Sequence, residues 1–381
     1  MKVLMKGNEA IAKAAIEAGC TFFAGYPITP QNEIPEYMSK ELPKAGGVFI
    51  QSESEISAIN MIYGAAGAGA RAMTSSSSPG IALKQEGITY IAGAELPAVI
   101  VNMMRGGPGL GSIQPSQADY NMSTRGGGNG DYRLIVYAPA SIQEAVDMVQ
   151  EAFDAADYYR MPVLVVADGM IGQMMEPVEF RKPEPRNLAE KTWATVGTGG
   201  VRKPNIVNSL YLDSTILEQH NLRLEAKYNE IEEKEAKYEN YMVEDADIVM
   251  VSYGTTSRIA RSAVNQLRKE GIKAGLIRLK TLWPYPVKAF ENLKASHIIC
   301  AEMSMGQMVD DVKLAVECKI PVHFVGRAGG MVPDPMQIIN KSSRNQSTLI
   351  KEFTLRSLQR SEVPKMWRGV AGISVLMAAS N

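Results

Sequence analysis

Hydrophobic runs and helical patterns alternate along the first 180 residues. Continuous apolar runs such as VFIQ (48–51), PAVIVNM (97–103) and PVLVVAD (162–168) predict buried strands, because a strand covered on both faces needs no polar alternation. Small-residue or amphipathic stretches between these runs predict helices at 7–19, 53–70, 80–92 and 141–157. Strands separated by helices indicate a parallel sheet with helices on both faces, so residues 1–180 are predicted to form an α/β domain.

A different pattern follows this domain. Residues 181–245 are predicted to be a linker that is rich in proline and glycine at first and then contains a charged amphipathic helix at 217–242. Two interpretations of that helix stay open, a solvated helix across a domain junction and a coiled coil. The strand–helix alternation resumes at 246 and predicts a second α/β domain over 246–340, followed by a C-terminal extension at 341–381.

Composition and charge narrow the class of protein. The 381 residues are 45% hydrophobic and 21% charged, which is typical of a globular chain. Lys and Arg total 40 against 41 Asp and Glu, and this balance argues against non-specific nucleic-acid binding, which needs a basic face. No apolar run approaches the ~20 residues that cross a bilayer, and MKVLMKGNEA lacks a signal peptide's apolar stretch, so a cytoplasmic protein without a membrane partner is expected.

Motifs for binding metals or nucleotides are absent or weak in this sequence. The three cysteines and three histidines are widely spaced, so the chain alone is not expected to hold zinc or an iron–sulfur cluster. No Walker A motif occurs. GAGARA (67–72) formally matches a dinucleotide fingerprint, but a helical pattern precedes it and MTSSSS follows, which favours close packing of a buried helix.

Several polar residues follow predicted strands. Glu53 and Glu55 come after the strand at 48–51, and Arg105 follows the strand at 97–103 and enters a glycine-rich loop. Parallel sheets bind ligands at the carboxyl ends of their strands, so Arg105, Thr29 and Ser75 are expected to converge on one crevice. The alternatives are that the glutamates only favour a helix N-terminus and that the arginine is structural.

Three segments carry a family resemblance. GYPITPQ (25–31), QSESEISAINMIYGAAGAGARAMTSSSSPG (51–80) and VNMMRGGPGLG (101–111) closely resemble the α subunit of 2-oxoacid:ferredoxin oxidoreductases, which are thiamine-diphosphate enzymes. SYGTTSRIARSAVNQLR and RLKTLWPYP resemble the transketolase-C-terminal-like domain of that family. The resemblance covers about residues 1–340. It implies a pyrimidine-binding thiamine-diphosphate domain with a parallel sheet, followed by a transketolase-C-terminal-like α/β domain.

The resemblance also assigns roles to single residues. The glutamate that contacts the cofactor's pyrimidine lies nine residues before Gly64, which selects Glu55 over Glu53 as the catalytic residue. Such a carboxylate shares a proton with pyrimidine N1′. Thr29 matches the threonine that hydrogen-bonds the bound 2-oxoacid, and Arg105 matches the arginine that clamps its carboxylate. Further cofactor contacts are expected at Pro27, Ile28, Ser75 and Ser76.

The chain also lacks parts that the chemistry needs. Thiamine enzymes hold the diphosphate and Mg²⁺ with a G-D-G…N motif, whereas this sequence has A-D-G at 167–169 without the matching asparagine. No metal site is therefore predicted on this chain. The resemblance implies a β subunit that carries the diphosphate half, Mg²⁺ and a 4Fe-4S cluster, with γ and possibly δ subunits and ferredoxin as electron acceptor.

The implied reaction is oxidative decarboxylation of a 2-oxoacid with coenzyme A to acyl-CoA, CO2 and reduced ferredoxin. The stretch ESEISAINMIYGAAGAGARAMTSSSSPGIALKQEGI (53–88) looks most like family members that act on branched-chain 2-oxoacids such as 3-methyl-2-oxobutanoate. The alternative 2-oxoglutarate would want a further cation for its distal carboxylate, and Arg125 or Arg133 are candidates. A non-redox thiamine decarboxylase and a non-catalytic assembly module on the same fold are further alternatives.

Overall fold

The computed structural model describes residues 2–181 and 186–342, and helices alternate with strands in both parts. The first part contains strands β1 (Val3–Lys6), β2 (Phe22–Gly25), β3 (Val48–Gln51), β4 (Ala72–Ser76), β5 (Ala98–Met104), β6 (Ile135–Tyr137), β7 (Pro162–Asp168) and β8 (Met175–Val178). Its helices are α1 (Gly7–Glu17), α2 (Glu33–Glu41), α3 (Glu55–Gly67), α4 (Ser78–Gly93), α5 (Tyr120–Arg125), α6 (Ile142–Tyr159) and α7 (Gly169–Gln173), with a 3-10 turn at Pro43–Ala45.

The second part begins with one long helix. In chain order it contains α8 (Ser214–Lys234), β9 (Tyr238–Tyr241), β10 (Ile248–Tyr253), α9 (Gly254–Lys269), β11 (Ala274–Leu279), β12 (Thr281–Trp283), β13 (His297–Glu302), α10 (Met308–Ala315) and β14 (Val322–Gly326), with a 3-10 turn at Val287–Phe290. No helix of the described residues is long and apolar enough to cross a membrane.

The larger sheet has seven strands in the order β12-β6-β7-β5-β4-β2-β3. All neighbours in it pair in parallel except β12, which is antiparallel to β6. Every residue of β4, β5 and β7 is buried, which is why these strands read as unbroken apolar or small-residue runs in the sequence. The carboxyl ends of β2, β4 and β5 lie side by side, and this edge carries the candidate site.

The smaller sheet has the order β14-β13-β10-β11-β9, in which only β9 is antiparallel to its neighbour. The two sheets belong to one compact unit that extends to Ile338. Ion pairs cross between the two parts: Arg278 of β11 donates to both carboxylate oxygens of Glu144 on α6, each at 2.7 Å. The boundaries predicted at 180/181 and 245/246 stay predictions.

The structure corrects the charged helix that was predicted at 217–242. The helix is α8, which begins at Ser214 and ends at Lys234, while Tyr238–Tyr241 is strand β9 and pairs with β11. Its apolar residues Leu224, Tyr228 and Ile231 are buried within this chain, so they do not form a free coiled-coil seam. Glu235, which interrupts the apolar pattern, is buried and accepts a hydrogen bond from Tyr159 at 2.8 Å.

Other elements were missed or differ in extent. β8 and β12 were not predicted, since each is short and pairs with a strand distant in sequence, β1 and β6 respectively. In the second α/β domain the sequence pattern predicts a helix at 287–294, but the structure has only the 3-10 turn Val287–Phe290 there. Residues 341 and 342 are described, and the rest of the predicted C-terminal extension (341–381) lies outside the described residues.

Candidate active site

Glu55 is the first residue of α3 and is only 6% exposed. The side chain of Ser54 caps this helix by accepting a hydrogen bond from the Ser57 backbone N–H at 3.2 Å. The Glu55 carboxylate accepts a hydrogen bond from Ser76 Oγ at 3.4 Å, which brings it to the carboxyl end of β4. Glu53 is exposed and accepts a hydrogen bond from Ser57 Oγ at 2.9 Å, so the two glutamates have different surroundings.

The Glu55 carboxylate can accept more hydrogen bonds than the surrounding protein donates to it. A carboxylate has lone pairs for several hydrogen bonds. Among the described residues, the Glu55 carboxylate has the long contact from Ser76 as its hydrogen bond. Because a buried carboxylate with unfilled acceptors is costly, this arrangement fits a ring N–H donor from a bound ligand.

Gly80 lets α4 approach the Glu55 carboxylate. A Cβ atom at Gly80 would lie 2.0 Å from Ser76 Oγ and 2.5 Å from Glu55 Oε1, closer than atoms can approach. Glycine is therefore needed here for space and not for an unusual backbone conformation. Gly80 could not be recognised from the sequence, because a lone glycine inside a helix pattern does not reveal what it contacts.

Lys84, on the next turn of α4, was also missed. It is fully buried, and its Nζ donates to Thr74 Oγ1 at 3.1 Å and to the Glu55 backbone carbonyl at 3.4 Å. Burial lowers the pKa of Lys84 from 10.5 to about 8, and the nearby Glu55 charge opposes that shift. The signal in the sequence was that Lys84 falls on the same helix face as Ile81 and Ile88.

Ser75 ties β4 to the turn after β2. Its Oγ donates to Gln31 Oε1 at 2.5 Å, and Gln31 Nε2 donates to the Tyr26 carbonyl at 3.3 Å. Pro27 is exposed and Ile28 is half-buried within this turn. The turn therefore places Pro27 and Ile28 near the edge of the sheet, and the hydrogen bonds of Gln31 hold it against β4.

Arg105 directly follows β5 and is 8% exposed. Its Nη1 donates to the Thr29 carbonyl at 2.9 Å and its Nη2 donates to the Leu110 carbonyl at 3.0 Å. The Nε atom is buried without a hydrogen-bond partner. The guanidinium thus holds the GYPITP turn and the glycine-rich loop together. Its Nε–H and its remaining Nη hydrogens are left as donors to which a ligand carboxylate can bind.

A buried polar network supports the start of α4 below Arg105. Ser78 Oγ donates to Asp119 Oδ2 at 2.6 Å and accepts from the Arg105 backbone N–H at 2.9 Å. Asn102 Nδ2 donates to the same carboxylate oxygen at 2.8 Å. Burial raises the pKa of Asp119, and the hydrogen bonds from Ser78 and Asn102 oppose that shift.

Thr29 also lines a cavity of about 570 Å³. This cavity lies between the turn after β2, the glycine-rich loop and the start of α7, and its wall includes Ile113, Gly169 and Gln173. Among the described residues no hydrogen bond joins Glu55 directly to Thr29 or Arg105. The structure therefore joins predicted residues directly in two contacts, Ser76 with Glu55 and Arg105 with Thr29. Ser75 instead contacts Gln31, which was not predicted.

The A-D-G sequence at 167–169 has a structural role. Asp168 ends β7 and its Oδ1 accepts hydrogen bonds from the backbone N–H groups of Met170 at 3.0 Å and Ile171 at 3.4 Å. It is the N-cap of α7. Burial raises the pKa of Asp168, and these hydrogen bonds oppose that shift.

The two candidate cations for a distal carboxylate lie elsewhere. Arg125 donates to both carboxylate oxygens of Asp311 on α10, at 2.8 and 2.7 Å, and Arg133 is exposed beside α8. Arg125 therefore serves as a link between α5 and α10. Neither arginine contacts Thr29, Arg105 or Glu55 among the described residues.

Comparison with known proteins assigns the family. The family model described as Pyruvate flavodoxin/ferredoxin oxidoreductase, thiamine diP-bdg, matches residues 13–245, and the one described as Pyruvate:ferredoxin oxidoreductase core domain II matches residues 246–338. The chain belongs to the 2-oxoacid:ferredoxin oxidoreductase family, as a subunit of a multi-subunit enzyme. The resemblance stated from the sequence and the predicted fold class are thereby confirmed.

Subunits of two enzyme types match this chain over most of its length. Ketoisovalerate oxidoreductase subunit VorB of Methanothermobacter marburgensis is 49% identical over 340 residues, which cover 89% of this chain and 96% of the relative. The 2-oxoglutarate synthase subunit KorA of Methanocaldococcus jannaschii is 38% identical over 363 residues, which cover 89% of this chain and 98% of the relative. The chain is thus similar to subunits of both types and more similar to the ketoisovalerate type.

Solved structures show the same fold. The 2-oxoglutarate:ferredoxin oxidoreductase from Magnetococcus marinus, with 2-oxoglutarate, coenzyme A and succinyl-CoA bound, matches with a TM-score of 0.81 and 26% identity. The match covers 90% of this chain and 65% of that chain, so this chain spans about two thirds of the solved one. A split-gene transketolase matches with a TM-score of 0.55 at 16% identity, a likeness of fold alone.

Proposed function

We propose that this chain is the α subunit of an enzyme that oxidatively decarboxylates a branched-chain 2-oxoacid, with 3-methyl-2-oxobutanoate as the favoured substrate. The products are acyl-CoA, CO2 and reduced ferredoxin. The observation that carries the proposal is the buried Glu55 carboxylate at the ligand-binding edge of the sheet, whose acceptor capacity the protein leaves largely unfilled. The similarity to ketoisovalerate oxidoreductase subunits supports the choice of substrate.

Glu55 is proposed as the catalytic residue of this subunit. Thiamine diphosphate, when bound, supplies the stabilised carbanion chemistry through which a 2-oxoacid loses CO2. Glu55 would exchange a proton with the pyrimidine ring nitrogen N1′. Ser76 orients the carboxylate, and Gly80 keeps the space beside it open. Pro27, Ile28 and Ser75 are proposed to border the cofactor from the turn after β2 and the end of β4.

Arg105 and Thr29 are proposed to bind the substrate. Every 2-oxoacid has a carboxylate beside its reacting carbonyl, so one cation can recognise the whole class. The unpartnered Nε–H of Arg105 and its remaining Nη hydrogens are suited to that carboxylate. The Thr29 hydroxyl would add a hydrogen bond, because the Arg105–Thr29 contact uses the threonine's carbonyl and leaves its side chain available.

A second candidate substrate is 2-oxoglutarate. The KorA relatives and the solved enzyme from Magnetococcus marinus favour it. It would need a cation for its distal carboxylate, and the bidentate pair with Asp311 already occupies Arg125. The structure thus offers more to support a substrate with an apolar side chain.

Partner subunits are part of the proposal. On α3 and α4, Ile56, Met61, Leu83 and Tyr90 are 49, 36, 51 and 40% exposed. These four side chains lie on two helices that pack against each other, and they are proposed to contribute to a protein interface. We assign it to a β subunit that supplies the diphosphate site, Mg²⁺ and the 4Fe-4S cluster, with γ and possibly δ subunits and ferredoxin completing the complex. The proposed compartment is the cytoplasm, where all three cysteines would remain free thiols.

The experiment that tests this function is a substrate comparison. The chain is produced together with its partner subunits, and reduction of a viologen dye is measured with 2-oxoisovalerate, 2-oxoglutarate or pyruvate in the presence of coenzyme A. The highest kcat/KM and acyl-CoA formation are expected with 2-oxoisovalerate. A preference for 2-oxoglutarate would select the alternative substrate. Aldehyde release without coenzyme A would indicate a non-redox decarboxylase. Inactivity of the complete complex with all three substrates would favour a non-catalytic assembly module.

A further inference from the structure

Lys84 is a buried lysine that the proposed reaction does not use. It lies on α4 with none of its surface exposed. Lysine is almost never fully buried unless a carboxylate pairs with it, and the described residues place none in ion-pair contact with Nζ. A core position would be better filled by methionine or leucine, so the amine calls for an explanation beyond packing.

The contacts of Lys84 converge on the start of α3. Its Nζ donates to Thr74 Oγ1 at 3.1 Å and to the backbone carbonyl of Glu55 at 3.4 Å. Thr74 and Ser76 are two residues apart in β4, so their side chains project from the same face of the sheet. Thr74 accepts from Lys84 and Ser76 donates to the Glu55 carboxylate, and the two hydroxyls thus hold the cation and the anion next to each other.

The helix α4 is shaped for this arrangement. Gly80 and Lys84 are one helical turn apart and therefore lie on the same face of α4. Gly80 leaves room for the Glu55 carboxylate. Lys84, one turn further along α4, places its ammonium group against the Glu55 backbone carbonyl. The charged group that faces Lys84 from α3 is Glu55, and β4 contributes the neutral hydroxyl of Thr74.

We propose that Lys84 is a positioning residue for Glu55: its ammonium group fixes the first turn of α3 through the Glu55 carbonyl and so holds the Glu55 carboxylate in its orientation. This inference rests on the proposed function, in which Glu55 exchanges a proton with the cofactor. A neutral amine at residue 84 would still fill the space but would lose the electrostatic part of this role.

The proposal has a pH signature. Burial lowers the pKa of Lys84 to about 8, so the amine is protonated at neutral pH and loses its charge as the pH rises through 8. Turnover of the wild-type complex is therefore expected to fall above pH 8. Thr74→Val removes the hydroxyl that accepts from Nζ, so it should shift this alkaline limb to lower pH while leaving Lys84 in place.

The test compares Lys84→Met with Ile88→Val, a control at a fully buried position one turn further along α4. In the assembled complex, Lys84→Met should lower kcat at least 10-fold at pH 7 with little change in KM for the 2-oxoacid, and it should remove the alkaline limb. Ile88→Val should keep the wild-type pH profile. A Lys84→Met complex with wild-type kcat and an unchanged limb would overturn the proposal. If Lys84→Met does not fold, Thr74→Val decides instead. A Thr74→Val complex whose alkaline limb lies at the same pH as in wild type would also overturn the proposal.

A second readout does not depend on turnover. Unfolding of the full chain without cofactor is measured for wild type, Lys84→Met, Glu55→Gln and the double variant. The effect of Lys84→Met on stability should depend on whether residue 55 is Glu or Gln, because the two charges interact. Additive effects would contradict the proposal. An inactive wild-type complex would instead refute the proposed function, and this cycle would still report on the Lys84–Glu55 contact.

Discussion

Arg105 and Thr29 are joined through the backbone: the Nη1 group of Arg105, just after β5, donates to the Thr29 carbonyl in the turn after β2 at 2.9 Å. β5 and β2 are not neighbours, since β4 lies between them. The arginine therefore bridges over β4, the strand that ends in Ser75 and Ser76. This contact makes Arg105 a structural link for the turn as well as the cation that is proposed to bind the substrate carboxylate.

Arg105→Lys is expected to weaken recognition of every 2-oxoacid. Lysine keeps the charge but loses the planar fork that serves two carbonyls and a carboxylate together. A charged hydrogen bond contributes roughly 1.5–3 kcal/mol, so kcat/KM should fall on the order of 10- to 100-fold with 2-oxoisovalerate, pyruvate and 2-oxoglutarate alike. The exposed Arg133→Lys serves as the control. A loss confined to 2-oxoglutarate would mean that Arg105 binds the distal carboxylate instead.

Gly80→Ala is expected to disturb the packing around Glu55. The new Cβ would lie 2.0 Å from Ser76 Oγ and 2.5 Å from Glu55 Oε1, so α4 or the carboxylate must move. Overpacking of this kind costs about 1–3 kcal/mol, measurable by urea unfolding of the full chain. Gly64→Ala in α3 is the matched control, because its Cβ meets nothing within 4 Å and alanine favours a helix by about 0.5–1 kcal/mol. Equal effects of the two substitutions would argue against the tight contact at Gly80.

The isolated chain is expected to bind thiamine diphosphate weakly or not at all. The diphosphate carries most of the cofactor's charge, and Mg²⁺ needs several oxygen ligands. The one carboxylate of the A-D-G sequence, Asp168, is used as the cap of α7. Calorimetric titration of the purified chain with cofactor and Mg²⁺ checks this. Tight Mg²⁺-dependent binding would refute the shared site and the need for a β subunit.

Lys84 should make the stability of the chain depend on pH. The pKa of Lys84 falls from 10.5 to about 8 on folding, so between these values the unfolded chain binds the proton more strongly and a rising pH favours the folded state. At pH 7 the buried ammonium costs on the order of 3 kcal/mol, and this cost is relieved as the pH rises from 8 to 10.5. Lys84→Met should therefore be more stable than wild type at pH 7, with the difference shrinking toward pH 10. The exposed Lys269→Met should show no such trend, and a constant difference for Lys84→Met would exclude a buried charged amine.

The sequence predicted the strands at 48–51, 97–103 and 162–168, because these segments are continuous apolar runs. It missed β8 and β12, whose pairing depends on partners more than a hundred residues away in the chain. It also predicted that Thr29 and Arg105 would meet, since strand ends converge at one edge. It did not identify Lys84, because lysine in a helix pattern is normally exposed, although Lys84 shares a helix face with Ile81 and Ile88 and is buried in the structure. The residues that surround Glu55 in three dimensions could therefore be identified only from the structure.

Glu55→Gln tests whether the Glu55 carboxylate activates the cofactor. The amide keeps the size of the side chain but cannot exchange a proton with the ring nitrogen, so kcat of the assembled complex should fall at least ~10²-fold, the scale for losing an acid–base group. Glu53→Gln, two residues earlier and exposed, should retain nearly full turnover. If Glu55→Gln keeps more than about half of wild-type turnover, which is incompatible with the loss of an acid–base group, then Glu55 is not the carboxylate that exchanges a proton with the cofactor.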